Sequence, residues 1–455
     1  MTIEERMDRP NLFSLVSTWI LCGILLVFAS LYGFSFQRGN LNSFVGAADK
    51  GVSAASPDTP SVVKIQNLAT YLLTVACIFP LVRPMWRELQ QNLLIFSILG
   101  WLIVSVLWSD IPQTSLVNAG RMTIDLVLAL YLLERYSEND IMKLLLMVGY
   151  VAAAGSILMV IAFPQYGLQS RGLYALGAWE GIFGQKNICG QAMMLLLLPA
   201  FFVKLSGLGA KILLCGYVAT ALVIIVMTHS AEAWIFSSVC LAFVALLKLT
   251  GRMNRKDAAA LVALIILVTA AFGVIVVANF DTVMYALGKD PTLTGRTKIW
   301  AVLLHSILKR PLFGYGYVGF WHWGLTGESA NFVLQLRLPG YASADSGIVE
   351  LALELGIVGL LLYGIVFLCA VKDACYCIGR EASPAVFWYA SMLVYVATSN
   401  IAGGALLRPS DLACILPFVA FVGLRREARR LRQSGMLDQE ETLHHTTAAF
   451  SPVGI

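Results

Sequence analysis

The chain has 455 residues, 58% of them hydrophobic and 13% charged, with a mean hydropathy of +0.76, whereas a soluble domain is near half apolar and a quarter charged. A soluble enzyme is excluded, and apolar stretches of roughly 18 to 22 residues also exclude an outer-membrane barrel, whose strands run about ten residues with alternating polarity. The net charge of +5, from 32 Lys+Arg against 27 Asp+Glu, is small and dispersed, so no nucleic-acid partner is expected. In chain order, the apolar windows predict an all-α, polytopic membrane protein of twelve helices. They lie near 13–34, 65–82, 92–108, 114–133, 141–163, 183–203, 211–228, 232–249, 258–279, 348–371, 384–400 and 411–424. The first follows a short charged leader and reads as an uncleaved span.

Short cytoplasmic loops hold an excess of Lys and Arg. With the N-terminus inside, 19 of the 32 basic residues fall on the cytoplasmic side, among them the cluster Arg425, Arg426, Arg429, Arg430 and Arg432. The expected map is therefore a single transmembrane domain over 1–424 with both termini cytoplasmic and one large periplasmic loop, 280–347. A basic cytoplasmic tail, 425–455, becomes polar and aperiodic from Gln433 and reads as disordered. The loops are unequal and no internal repeat is visible. That argues against an alternating-access transporter and for an enzyme working at the outer face.

Cysteines lie mostly within apolar runs with no C-x-x-C pair, and the five histidines show no metal spacing, so neither metal nor cofactor is expected. The chemistry-bearing residues sit at the predicted outer border. Thr294 is a candidate N-cap that puts Arg296 and Lys298 in the first turn of an amphipathic helix, where cations oppose the helix dipole unless an anion lies in front of them. The run from Arg310 to Trp321 is rich in glycine and aromatics, including Tyr315, and suits either ring stacking on sugars or a membrane-interface belt. Lys186 and Asn187 open the sixth span behind two glycines, a good anion site or a snorkelling lysine, with Arg171 in the preceding loop. Arg121 and Asp125, four apart, are expected to neutralise each other. Asp345 or Ser346 is a natural N-cap for the tenth span, which carries Glu350 and the deeper Glu354.

Five segments, Trp108–Pro112, Gly181–Gly190, Leu293–Trp300, Arg310–Gly316 and Gly347–Gly359, together resemble the bacterial O-antigen ligase and exopolysaccharide polymerase superfamily, in its exopolysaccharide-production branch. The resemblance runs in order from about 100 to 365. It implies a metal-free, inverting, membrane-embedded glycosyltransferase that polymerises or ligates repeat units on undecaprenyl diphosphate at the periplasmic face of the inner membrane. Its implied partners are the lipid-linked donor, a saccharide acceptor, the bilayer and other polysaccharide-assembly and export proteins. By the same resemblance Arg296 is the loop arginine, and Lys186 with Asn187 the lysine-asparagine element. Arg171, Lys298, Arg310, Tyr315, Trp321 and Glu354 complete the expected substrate site. Where the family carries a histidine before the glutamate helix, this chain has Asp345, expected to act as the base. Glu180 and Ala231–Glu232 stand where basic residues are common in the family. A flippase of lipid-linked saccharides and a non-catalytic glycan-binding relative are the alternatives.

Overall fold

A computed structural model describes residues 20–21, 23–25, 61–169, 177–250, 296–321, 327–336, 343–380, 383–400 and 406–449. Among these residues every regular element is helical, with a lone antiparallel bridge between Leu168 and Trp179. The helices are α1 (Ser61–Ile78), α2 (Val82–Gln91), α3 (Leu93–Val104), α4 (Pro112–Arg135), α5 (Glu138–Ala162), α6 (Lys186–Leu197), α7 (Leu208–Met227) and α8 (Ala231–Thr250). Beyond the undescribed stretch 251–295 follow α9 (Arg296–Lys309), α10 (Gly327–Leu336), α11 (Gly347–Ile378), α12 (Pro384–Ser399) and α13 (Leu412–Ala449). The predicted segments from 65–82 to 232–249 and from 348–371 to 411–424 each fall on one of these helices. The segment 258–279 lies outside the described residues, as does most of 13–34.

Among the described residues five helices, Pro112–Arg135, Glu138–Ala162, Leu208–Met227, Ala231–Leu249 and Gly347–Ile378, are long and apolar enough to cross a membrane. A sixth crossing results if Leu68–Leu81 and Arg83–Gln91, bent by 88°, form one broken span. Local sequence sets several boundaries. Ser137 accepts the Asp140 N–H at 3.2 Å and so caps α5, with Glu138 and Asp140 in its first turn complementing the helix dipole. Ser383 caps α12 by accepting from Val386 N, and Pro384 occupies the first helical position, where no backbone donor is lost. Asp411 accepts the Ala413 N–H at 2.9 Å at the start of α13.

α13 packs on α4, α11 and α12, and α12 also packs on α8, so this group forms the centre of the bundle. Its interior is aromatic: Trp388, Tyr389, Tyr395, Phe418 and Phe421 are all fully buried. Where the sequence predicts disorder from Gln433, α13 continues as helix to Ala449. The middle of α13, just before Gln433, is anchored: Arg432 reaches Asp373 at 2.7 Å and Leu431 is buried. The predicted loop 280–347 contains α9, which packs on α10 and α11.

The termini of these helices sort into two polar ends. At one, the C-terminal parts of α4 and α11 meet α2 and the middle of α13. Asp373 takes Arg425 at 3.1 Å and Arg432 at 2.7 Å, Glu88 takes Arg426 at 3.0 Å and Arg429 at 3.2 Å, and Glu134 takes Arg426. At the other end lie the N-termini of α4, α11 and α13 and the C-terminus of α12. The expected Arg121–Asp125 pair does not form there. Arg121 donates to Asn118 Oδ1 at 3.2 Å, and Asp125 Oδ2 accepts the Ser410 N–H at 2.7 Å, since a neighbour on the same helix is worth less than a backbone donor already aimed at the carboxylate.

Candidate functional site

The second end is organised by a break in α11. At Gly356 the backbone leaves helical geometry (φ 66°, ψ −166°), which frees backbone groups on either side. The segment Pro311–Gly316 satisfies them. Ile357 N–H donates to Pro311 O at 2.9 Å and Val358 N–H to Leu312 O at 3.3 Å, while Leu353 O and Glu354 O accept from Tyr315 N at 3.0 Å and Gly316 N at 2.9 Å. Leu355 O takes the Trp101 indole N–H at 3.3 Å. A Cβ at position 356 would lie 2.3 Å from Leu312 O, so both conformation and space demand glycine.

The Trp108–Pro112 motif closes the same bracket. Trp108 Nε1 donates to Phe313 O at 3.1 Å, Asp110 N donates to Tyr315 O at 3.3 Å, and Asp110 Oδ1 pairs with Arg310 at 2.7 Å. The rings of Trp101, Trp108 and Phe313 gather with centroids 5.2 to 5.7 Å apart. An open groove of about 500 Å³ is bordered by Trp108, Asp110 and the stretch Arg310–Gly314. Three of the five motifs that carry the resemblance are thus one structural unit. The geometry gives two expected substrate ligands other partners: Arg310 holds Asp110, and Tyr315 is buried with its hydroxyl donating to Ser306 O at 2.9 Å. Burial, reinforced by the charge of Glu328, pushes that hydroxyl up to about 12.

Above the break, the turn before α11 presents Asp345. Its backbone is left-handed (φ 47°), a conformation that aspartate tolerates better than most side chains. Ser343 holds the turn: its Oγ accepts from Asp345 N at 3.0 Å and donates to Asp345 Oδ1 at 3.1 Å. Glu350 buttresses it from α11, Oε2 accepting the Ala344 N–H at 2.8 Å and Oε1 the Trp321 indole N–H, while Trp300 Nε1 donates to Ala344 O at 2.8 Å. Neither Asp345 nor Ser346 caps α11 through its side chain. Ser346 occupies the cap position but donates to Asn400 O at 3.3 Å, and Gly347 N–H reaches the same oxygen at 3.1 Å. The capping role falls away because the C-terminus of α12 supplies an unfilled carbonyl at that spot.

Trp321, expected to stack on sugar, is 4% exposed and packs edge-to-face on Phe320 and Phe332. Its contribution is the bond to Glu350. Glu354 is buried a turn below. A residue that the motifs do not reveal, Arg408, sits in the α12–α13 connection and acts electrostatically on both Glu350 and Glu354. The signal available in the sequence is a cation beside an apolar run, on the border shared with Asp345.

Lys186 opens α6 behind Gly184 (φ 67°), as the two-glycine approach predicts. The amide of Asn187 donates to Glu232 at 3.4 Å and accepts from Ser230 Oγ at 2.9 Å, and Gln191 donates to Glu232 at 2.6 Å. A carboxylate therefore occupies the place beside the expected anion site. Tyr395 OH donates to Gln191 O at 3.4 Å and Asn400 is bonded to the Ser346–Gly347 turn, so α12 ties this element to Asp345. Arg296 opens α9 and Lys298 follows in its first turn; Thr294 and Arg171 lie outside the described residues.

The fold defines a multi-pass helical membrane protein, with Asp345, Glu350 and Glu354 gathered toward one end of the bundle. Residues 216–364 match the Wzy_C family model, O-Antigen ligase. The chain is also similar to exopolysaccharide production protein ExoQ of Rhizobium meliloti (strain 1021), 25% identical over 306 residues that make up 64% of this chain and 68% of the relative. The two matches bear out the resemblance carried by the motifs.

Proposed function

We propose that the protein is a glycosyltransferase that polymerises or ligates saccharide units carried on undecaprenyl diphosphate, at the periplasmic face of the bacterial inner membrane. In this reading the chain crosses twelve times, both termini are cytoplasmic, 1–424 is one transmembrane domain, 280–347 is periplasmic and 425–455 is a cytoplasmic tail. The observation that carries the proposal is the carboxylate of Asp345, held in a left-handed turn by Ser343 and Glu350 at the mouth of a membrane helix. It stands in a segment matched to the O-antigen ligase model.

Asp345 takes the proton of an acceptor hydroxyl, whose oxygen attacks the anomeric carbon of the donor sugar. The bond from that carbon to the diphosphate breaks, the diphosphate leaves with the electron pair, and the anomeric configuration inverts. Arg296 at the N-terminus of α9 and Lys186 at the N-terminus of α6 stabilise the leaving charge, each joined to backbone donors. No metal or cofactor takes part. Lys298, Arg171, Asn187 and the groove beside Arg310 serve donor and acceptor.

A second reading, a non-catalytic binder of lipid-linked glycan, is favoured by Glu232 beside Lys186, which removes net positive charge from that element. Deleting the gene and sizing surface and secreted polysaccharide tests both. Loss of long chains with single repeats retained, uncorrected by Asp345→Asn, supports the polymerase; polymer lost only from its final carrier supports the ligase. Full complementation by Asp345→Asn supports the binder.

A further inference from the structure

We infer that Arg408 is a diphosphate-binding residue of this site, the guanidinium that receives the donor's leaving group; the inference rests on the glycosyltransferase reading above. The α12–α13 connection that carries Arg408 is fastened on both sides of it. Leu407 O accepts from Tyr317 OH at 2.7 Å, Ser410 N–H donates to Asp125 at 2.7 Å, and Ser410 Oγ is bonded to Tyr71 OH. Leu407, Pro409 and Ser410 are buried, and Ser410 is held left-handed (φ 61°). Anchors from three distant helices and loops fix a four-residue stretch, and the residue so presented is a half-buried arginine.

Among the described residues Arg408 has neither ion pair nor hydrogen bond. The arginines at the opposite end contrast with it, since Arg425, Arg426, Arg429 and Arg432 are each paired with a carboxylate. Glu350, on which Arg408 acts electrostatically, already has an N–H on each oxygen. The guanidinium therefore keeps its planar set of five donors for another group. A partly desolvated cation of that shape matches a phosphate bidentately. At the Lys186 element, by contrast, Glu232 accepts from both Asn187 and Gln191. The positive charge lost there is present at Arg408, on the same side as Asp345.

The test uses full-length protein in nanodiscs, with farnesyl diphosphate as the probe and wild type, Arg408→Gln, Arg408→Lys and Arg408→Gln/Glu354→Gln compared. Loss of a charge-assisted contact predicts roughly 10- to 100-fold weaker binding in Arg408→Gln and a smaller loss in Arg408→Lys, which keeps the charge without the fork. Undiminished binding in Arg408→Gln overturns the inference. So does recovery of wild-type affinity in the double variant, which would make Arg408 only a counter-ion to Glu354. If Arg408→Gln does not yield a monodisperse protein, Arg408→Lys decides, weaker binding supporting and unchanged binding overturning. Wild type that binds no prenyl diphosphate, in a strain whose deletion leaves polymer intact, removes the functional reading itself. Wild-type affinity in Arg408→Gln while Asp345→Asn loses polymer removes the role of Arg408 alone.

Discussion

The two polar ends of the bundle hold their buried carboxylates differently. Where α4 and α11 finish, guanidinium meets carboxylate: Asp373, 2% exposed, holds Arg425 and Arg432, and Glu88 holds Arg426 and Arg429. Where α11 and α13 begin, the direct partners of Glu350 are an indole and a backbone N–H and that of Asp125 is the Ser410 N–H, its other oxygen unpartnered, while the more exposed Asp110 keeps an ion pair with Arg310. Charge answered by charge fixes helices against one another. A buried carboxylate met directly by neutral donors, as Asp125 is, costs stability rather than adding to it.

The sharpest way to break this contrast is Asp345→Asn. Asparagine tolerates the left-handed turn, so a folded protein is expected with polymer formation reduced roughly 10² to 10⁴-fold, the range for general-base assistance, read by chain-length analysis of the product. Next in size is Gly356→Ala, which meets Leu312 O at 2.3 Å in a left-handed conformation. A loss of about 3 kcal/mol or more is expected, seen as a collapsed monodisperse peak in detergent, because either the break or the Pro311–Gly316 bracket must give way.

At the other end, Asp373→Asn removes the counter-charge of two arginines. Both are more than a third exposed, so solvent screening lowers the cost to about 1–3 kcal/mol. Thermal stability should fall while the product made per folded molecule stays constant. Equal loss of polymer and stability would erase the distinction between the ends. Trp321→Phe keeps the ring packing but leaves one Glu350 oxygen without its donor, an expected loss of about 1–2 kcal/mol. Because Glu350 holds Ala344, polymer output should fall as well. The smallest effect belongs to Lys309→Ala: its pair with Glu328 at 2.8 Å is exposed, and below about 1 kcal/mol is expected, diminishing further in high salt.

Helices were legible in the sequence because an apolar run has one economical fate in lipid, and the boundaries at Ser137, Ser383 and Lys186 carry local signals. The break at Gly356 was not. Leu355-Gly-Ile-Val-Gly359 continues an apolar run without a proline, and the partner that stabilises the break lies some forty residues upstream. The fate of Arg310 depends on Asp110, 200 residues away, and so cannot follow from helical spacing. Asp345 was visible as a departure from a motif, but its turn is set by Ser343 and by Glu350 in the next helix. Arg408 escaped because no motif surrounds it. Its position is defined by Tyr71, Asp125 and Tyr317, three residues from three separate parts of the chain.

The bracket across the break of α11 is made almost wholly of main-chain bonds. Its register depends on chain path and on where the glycines fall, so the side chains along it are free to diverge as long as that path is kept. A graft that moves the first turns of α11 into a related protein must carry Arg310–Gly316 with them as matched halves of one clasp. A graft of α11 alone would meet a host loop cut for a different fastening, and the carboxylate above it would lose its aim.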